Sequence, residues 1–389
     1  MTRYTPAPVA DHPPPAMVDP YRFHAVYRLC AQASEIEARA HALAVEQSIE
    51  MPPLAVRNPR VSREVVGRVE RIETDARAPD GREYFHVTLG LALETTGGDA
   101  GQLMNMLFGN SSLHDDVELV DFDLAPAAAW GFGGPRHGVA GLRAACGAPV
   151  RPLTCSALKP QGSSPEELAT LAYRLASAGL DIIKDDHGLA DQAAAPFRAR
   201  VEAVQAAVAR ANREHGGRTL YAPSLTGAPE QLIAQARFAR DAGVGALLVA
   251  PMISGMSTLQ TLAGLDLPLI AHPALGGATR IAPSLLLGKL FRLAGADATI
   301  FPNFGGRFSY SAERCAAIAQ AARRPWADLR PCLPVPAGGI QLDRIESLVR
   351  FYGPDTMLLI GGALLESDDI HAAARDFVQR VARPVEVTE

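Results

Sequence analysis

From about residue 150 onward, short β-rich apolar runs recur along the chain, and each is followed by a stretch with helical spacing. The runs are LTCSAL, LDIIK, TLYAPS, ALLVA, LPLIA, DATIF, LPVPA and TMLLI. Helix-forming segments between them include SPEELATLAYRLASAG, APEQLIAQARFARDAG and APSLLLGKLFRLAGA, and several close on a glycine that stops a helix. Parallel pairing requires a crossover between strands, so this rhythm predicts a (β/α)8 barrel over residues 136–389. A doubly wound open sheet is the alternative, but no glycine-rich dinucleotide fingerprint follows the first run. Residues 21–135 read differently. YRFHAVYRLCAQASEIEARAHALAVEQS starts as a strand and turns helical, VVGRVERIET and REYFHVTLGLAL alternate as strands around the turn APDGR, and AGQLMNMLFG is a short amphipathic helix. A small α+β domain of ferredoxin-like type fits. Residues 1–20, with PAPVADHPPPAMVDP, predict an extended proline-rich arm.

Barrel chemistry sits at the carboxyl ends of the strands. Lys159 follows the first run, and Lys184, Asp186 and His187 follow the second. His272 follows the fifth, Asn303 and Arg307 the sixth, Gly338 and Gly339 the seventh, and Gly361 and Gly362 the eighth. These residues converge on one mouth. Glycine pairs after strands seven and eight occupy the usual phosphate position, where bare backbone N–H groups approach the oxygens closely. Tight turns are the plainer explanation of each pair.

The segment LDIIKDDHGL runs strand-forming residues into a lysine, two aspartates and a histidine. Buried charges of this kind need partners. Alternation along a strand turns Lys184 and Asp186 the same way, into the mouth, and Asp185 toward the helix layer. A lysine ligates a metal only when deprotonated or converted by CO2 to an anionic carbamate, and a carbamate with Asp186 would offer the hard oxygens that Mg2+ prefers. A buried Lys–Asp ion pair is the alternative, and His187 read alone is either a core histidine or a ligand.

Composition narrows the setting. Apolar residues make up 48%, charged residues 20%, and the net charge is -5, with no basic footprint for nucleic acid. The five cysteines match neither a zinc motif nor a disulfide framework. No secretory pattern and no membrane-spanning apolar run is present, so a cytoplasmic protein is expected.

At these motifs the chain resembles the large chain of ribulose-bisphosphate carboxylase, and more specifically the RuBisCO-like (form IV) proteins, along nearly its whole length. FGGPRHGV resembles the family's entry to the barrel, LKPQGSSPEELA its first catalytic loop, GLDIIKDDHGLADQ its carbamate and metal motif, IAHPALGG its strand-five histidine, and PAGGI and LIGGA its phosphate loops. The resemblance implies Lys159 as general acid/base, Lys184 as the carbamylated lysine, and Asp186 and His187 as the other metal ligands. It makes His272 a partner for a substrate hydroxyl, and the glycine pairs with Arg307 and Asn303 the substrate and phosphate contacts. ALAVEQSIEMP places Glu46, with Asn105 near a second such position, in the active site of a partner subunit. A homodimer or a higher homo-oligomer is then the working unit. The implied cofactors are Mg2+ and CO2 as the carbamate on Lys184.

Departures from the family pattern shape the expected activity. FPNFGGRFSYS, after strand six, lacks the lysine of the carboxylases. Gln161 replaces a second lysine of the first loop, Pro273 an arginine, and Phe301 falls near a missing histidine. A substrate with one phosphate is expected, not a bisphosphate, with Arg307 as a possible second anion site. His187 stands where glutamate is usual, which opens the site to Mn2+ or Zn2+. The shared family step is enediolate formation from a phosphorylated ketone. The expectation leans to a decarboxylase or transcarboxylase/hydrolase of 3-oxo-isoapionate 4-phosphate, because Arg307 would suit a carboxylated monophosphate. The alternatives are a 5-methylthioribulose-1-phosphate isomerase or methionine-salvage enolase, with Met104, Met106, Met252 or Met256 as methylthio contacts, and a non-catalytic phosphate-ligand binder.

Overall fold

The computed structural model describes residue 19, residues 21–125 and residues 130–383. The expected proline-rich arm therefore lies outside the described residues, except for Asp19.

The first half of the chain alternates as its sequence requires. In β1 (Arg22–Ala31) the residues Phe23, Ala25, Tyr27 and Leu29 are all fully buried on one face. With α1 (Ile36–Glu46), β2 (Arg68–Arg77), β3 (Glu83–Ala92), α2 (Ala100–Phe108) and β4 (Val117–Asp123) it forms an antiparallel sheet of order β2-β3-β1-β4. That βαββαβ order is ferredoxin-like. Strand β2 starts later than the alternation predicted. A Cβ at Gly67 would lie 2.4 Å from the Ala44 carbonyl oxygen, so the chain passes close under α1 before it can pair.

The helix α3 (Gly138–Cys146) was not foreseen. Its Val139, Leu142 and Cys146 belong to the cluster inside the barrel, which they close at the amino end of the strands. Eight parallel strands follow: β5 (Leu153–Leu158), β6 (Ile182–Asp185), β7 (Leu220–Ala222), β8 (Leu247–Val249), β9 (Leu269–Ala271), β10 (Ala298–Pro302), β11 (Leu333–Ala337) and β12 (Met357–Leu359). They alternate with α4 (Pro165–Ser177), α5 (Phe197–His215), α6 (Pro229–Asp241), α7 (Met256–Ala263), a π-helical turn at Ser284–Leu290 running into α8 (Phe291–Leu293), α9 (Ala312–Arg323), α10 (Ile345–Tyr352) and α11 (Ile370–Ala382). The α4 start carries a full capping box between Ser164 and Glu167.

The ring consists of two four-stranded ladders, β12-β5-β6-β7 and β11-β10-β9-β8. At one seam, Leu225 and Leu248 N–H donate to Leu248 and Pro223 carbonyls. The other seam lies between β11 and β12. The N–H groups of β11 that pair with β10 belong to the register of Leu333, so Pro334 and Pro336 present their donorless nitrogens toward β12. Thr356 Oγ1 donates to the Pro334 carbonyl there instead, at 3.1 Å.

Interior and exterior clusters show which way each strand faces. Cys155, Ala157, Ile182, Ala222, Leu248, Ile270, Ile300, Val335 and Leu359 are inside or on the inward register, while Leu158, Ile183, Tyr221, Val249, Phe301 and Leu358 pack against helices. Continuing the inward register past each strand end brings Lys159, Lys184, Asp186, Ser224, Ala250 and His272 to the mouth. No helix among the described residues is long and apolar enough to cross a membrane.

Candidate active site

Strand β6 delivers its charges to two opposite faces. Asp185 points outward and is fully buried, accepting from Arg200 Nε at 3.0 Å, Tyr221 hydroxyl at 2.8 Å and Ser224 N–H at 3.0 Å. Burial pushes its carboxyl pKa up, against the pull of Arg200. This network fixes β6 and β7 against α5 and leaves the inward face free for chemistry.

On that inward face Lys184 is 3% exposed, and its Nζ donates to the Asp185 carbonyl at 2.9 Å. Burial pulls its pKa down, against the opposing influence of Cys155, Asp186 and Asp185. The shift runs in the direction of the neutral amine, the form that reacts with CO2. Asp186 behaves in the opposite way. Burial opposes its ionisation, but His187, the Lys159 ion pair at 2.8 Å and the Lys184 charge outweigh burial and hold the carboxyl below the usual carboxylate range. Lys159 is 36% exposed, so Lys184 and not Lys159 is the buried lysine of the pair. His187 Nδ1 lies 3.7 Å from Asp186 Oδ1, and its ring stacks on His272 with centroids 4.1 Å apart.

His272 receives the Ala274 N–H on Nδ1 at 3.2 Å, which leaves the proton of a neutral ring on Nε2. Burial first, and then the charges of Lys184 and His187, push its pKa down to about 3. It is a neutral donor at working pH. Gln161 lies across the floor of this cluster, its amide nitrogen 1.7 Å from where a Cβ on Gly188 would stand. A side chain at that position would have to displace the end of the exposed Gln161.

The glycine loops face the cluster. Gly338 and Gly339 have φ of +92° and +94°, and the Gly338 carbonyl accepts the Arg307 N–H at 3.0 Å. Conformation alone therefore requires glycine at both positions. What they offer a ligand is their N–H groups, which, like those of Gly361 and Gly362, meet no acceptor among the described residues. Arg307 is exposed, its guanidinium 5.1 Å over the Phe308 ring, on the glycine side of the mouth and not opposite it.

One expected contact, Asn303, is placed elsewhere, and Glu46 and Asn105, expected to serve a partner subunit, bond within their own domain. Asn303 follows Phe301 on the outward register, is 1% exposed, accepts from the Tyr352 hydroxyl at 2.7 Å and donates to the Phe304 carbonyl at 2.9 Å. It anchors the β10 loop instead of facing the mouth. Glu46 accepts from Asn110 Nδ2 at 3.0 Å, and Asn105 leans on Gln102 at 3.4 Å. Neither bonds to a mouth residue of its own chain. Phe301 also faces outward, against Tyr352, and Met104, Met106, Met252 and Met256 pack on the core.

Between the ends of β7, β8 and β9 lies a cavity of about 60 Å³, lined by His187, Ser224, Leu225, Leu232, Ala250 and Ile253 among others, with His272 on its inner wall. Of its lining, only His187 and His272 stand out in the sequence; Ser224, Leu225, Leu232, Ala250 and Ile253 carry no charge to mark them.

The match of residues 138–382 to the model of the ribulose bisphosphate carboxylase large chain, catalytic domain, covers the whole barrel and its mouth. The chain belongs to the RuBisCO large-chain family. It is 52% identical over 364 residues to ribulose bisphosphate carboxylase-like protein 1 of Rhodopseudomonas palustris, covering 93% of this chain and 96% of that one. It is 54% identical over 352 residues to a protein named 5-methylthioribulose-1-phosphate isomerase from Rhodospirillum rubrum, covering 90% and 92%. A crystal structure of a RuBisCO-like protein from R. palustris superposes with a TM-score of 0.85 at 49% identity, covering 94% and 98%. Within the family the chain is RuBisCO-like and not a CO2-fixing carboxylase, and its β10 loop, with no lysine from Phe301 to Ser311, agrees.

Proposed function

We propose that the chain is a metal-dependent isomerase of 5-methylthioribulose 1-phosphate. The observation that carries this reading is the asymmetry of the mouth. Free N–H donors and Arg307 stand together at β10 to β12, while the opposite wall at β7 to β9 carries Pro273, a neutral His272 and an apolar cavity. A substrate with one anionic end and one apolar end matches it. A carboxylated sugar phosphate needs a second cation across the mouth, so Arg307 on the phosphate side removes the ground for preferring 3-oxo-isoapionate 4-phosphate. The named activity of the R. rubrum relative points the same way.

Among the described residues no three His, Cys, Asp or Glu side chains gather as a metal site, so Asp186 and His187 need a third donor. Lys184 fits that need. Its buried amine adds to CO2, releases a proton and becomes an anionic carbamate beside Asp186. These three would hold a divalent ion, Mg2+ first and Mn2+ or Zn2+ as alternatives because of the imidazole. When bound, the ion polarises the substrate ketone. The chain's own groups do the rest. Glycine N–H groups hold the 1-phosphate and fix the reacting carbons. Lys159 takes the proton from the carbon beside the ketone and returns one to a neighbouring carbon, and His272 donates Nε2–H to a substrate hydroxyl.

A second copy of the chain would supply Glu46 and Asn105, which explains why they bond to nothing in their own mouth. The exposed Met51, Leu54 and Leu113 lie on the same part of the amino-terminal domain. The test offers both substrates to purified protein with Mg2+ and bicarbonate. The expected kcat/KM for 5-methylthioribulose 1-phosphate exceeds that for 3-oxo-isoapionate 4-phosphate by at least about 1,000-fold, as for a site lacking the second anion contact. The opposite order sinks the reading.

A further inference from the structure

We infer that the cavity at the ends of β7, β8 and β9 seats the thioether end of the substrate and limits its length. This deepens the isomerase reading and rests on it. Its first support is position. Around the ring the strands run β11, β12, β5, β6, β7, β8, β9, β10, so the β7/β8 seam lies diametrically opposite the β11/β12 seam that bears the glycine pairs. A chain anchored by phosphate at one seam and crossing Lys184 and Asp186 ends at the other.

The lining has the chemistry of a thioether pocket. Leu225, Leu232 and Leu248 are 3%, 1% and 0% exposed and form its floor. Its polar side chains are His187 and His272, already placed at the mouth, with Ser224, Thr226 and Ser254. Ser254 Oγ donates to the Ala250 carbonyl at 3.1 Å, and Thr226 is held by Gln235 through both N–H and carbonyl. No lysine, arginine or carboxylate lines it. Size sets the limit. About 60 Å³ is roughly the share of two waters in the liquid, at about 30 Å³ each. A sulfur and a methyl group fit; a propyl tail meets the leucines. Ile253, 64% exposed, stands at the rim where a longer tail would have to leave.

The test uses 5-deoxy-, 5-methylthio-, 5-ethylthio- and 5-propylthioribulose 1-phosphates for kcat/KM. The corresponding pentitol 1-phosphates, which lack the ketone and cannot react, give Kd by calorimetry. In wild type both quantities worsen at least about 10-fold from methylthio to propylthio, the scale of misplaced methylenes in a tight pocket. Ile253→Ala narrows that gap. Ala250→Leu, which fills the cavity from an inward-facing strand end, lowers the methylthio to 5-deoxy ratio at least about 10-fold. A flat length profile in wild type, or an unchanged ratio in Ala250→Leu, overturns the inference. If the pentitols show the cut-off while no ketose reacts, the subsite stands and the isomerase reading fails. If no pentitol binds, both fail.

Discussion

Lys184 and Lys159 stand at the ends of neighbouring strands, yet their surroundings give them different work. Lys184, almost fully buried with only a carbonyl on its ammonium, is biased toward the uncharged amine, which CO2 can trap. Lys184→Arg keeps a cation and cannot form a carbamate. It is expected to lower kcat by about 1,000-fold or more and to abolish any 13CO2-derived carbamate signal, and retained activity would show that the lysine is merely structural. Lys159 instead lies against Asp186 with a third of its surface open, placed to meet substrate. Lys159→Met should cut kcat by about 100- to 10,000-fold with a much smaller change in KM, because proton transfer acts on the transition state and not on binding. Both lysines were legible in the sequence. Their place at the mouth follows from the inward register at a barrel strand end. Asn303 misled for the converse reason: proximity to a strand end does not reveal which way the side chain turns, and its register sends it to Tyr352.

At the scale of elements, the β6–β7–α5 unit holds the mouth in place through the Asp185–Arg200 pair, both side chains fully buried at 3.0 Å. Arg200→Leu leaves the carboxylate buried beside only Tyr221 and Ser224 and is expected to cost about 3–5 kcal/mol in urea unfolding. The barrel interior gives a second test. Burial pushes the Cys155 thiol up to about 12 from 9.0 in β5, with Lys184 opposing. The folded chain therefore keeps a proton that the unfolded chain loses above pH 9. Stability from this residue is intact below pH 9 and declines as pH rises toward 12, by about 1.4 kcal/mol per pH unit at most. Cys155→Ala should flatten that slope in urea melts between pH 9 and 11, whatever it does to stability at pH 7. All eight strands were readable because each is a short apolar run with a crossover after it. The plug α3 was not, since its stripe is only Val139, Leu142 and Cys146 in a nine-residue helix of glycines and alanines. The cavity at β7 to β9 was hidden because Leu225, Leu232 and Ala250, which line it beside His272, look like more core.

The whole molecule ties its amino-terminal sheet to its own barrel. Leu119 in β4 exchanges bonds with Arg280 and Ala282, and Trp326 donates to Asp123 at 2.7 Å. Glu46 bonds to Asn110 of its own domain, and under the proposed reading a second copy receives it at its mouth. Mixing Glu46→Ala with Lys184→Ala, each inactive alone, should restore about a quarter of wild-type activity through mixed dimers that carry one intact site. Full activity of Glu46→Ala would remove the partner's role. The central claim is that this barrel moves a proton within one phosphorylated ketose and breaks no carbon–carbon bond. Its most direct test is phosphorus and proton NMR of 5-methylthioribulose 1-phosphate incubated with the protein, Mg2+ and bicarbonate, with Lys184→Ala as control. Conversion by the wild type alone to an isomeric ketose that keeps its carbons, phosphate and methylthio group is the predicted result. An unchanged spectrum, alongside loss of a carbon from 3-oxo-isoapionate 4-phosphate under the same conditions, would contradict it.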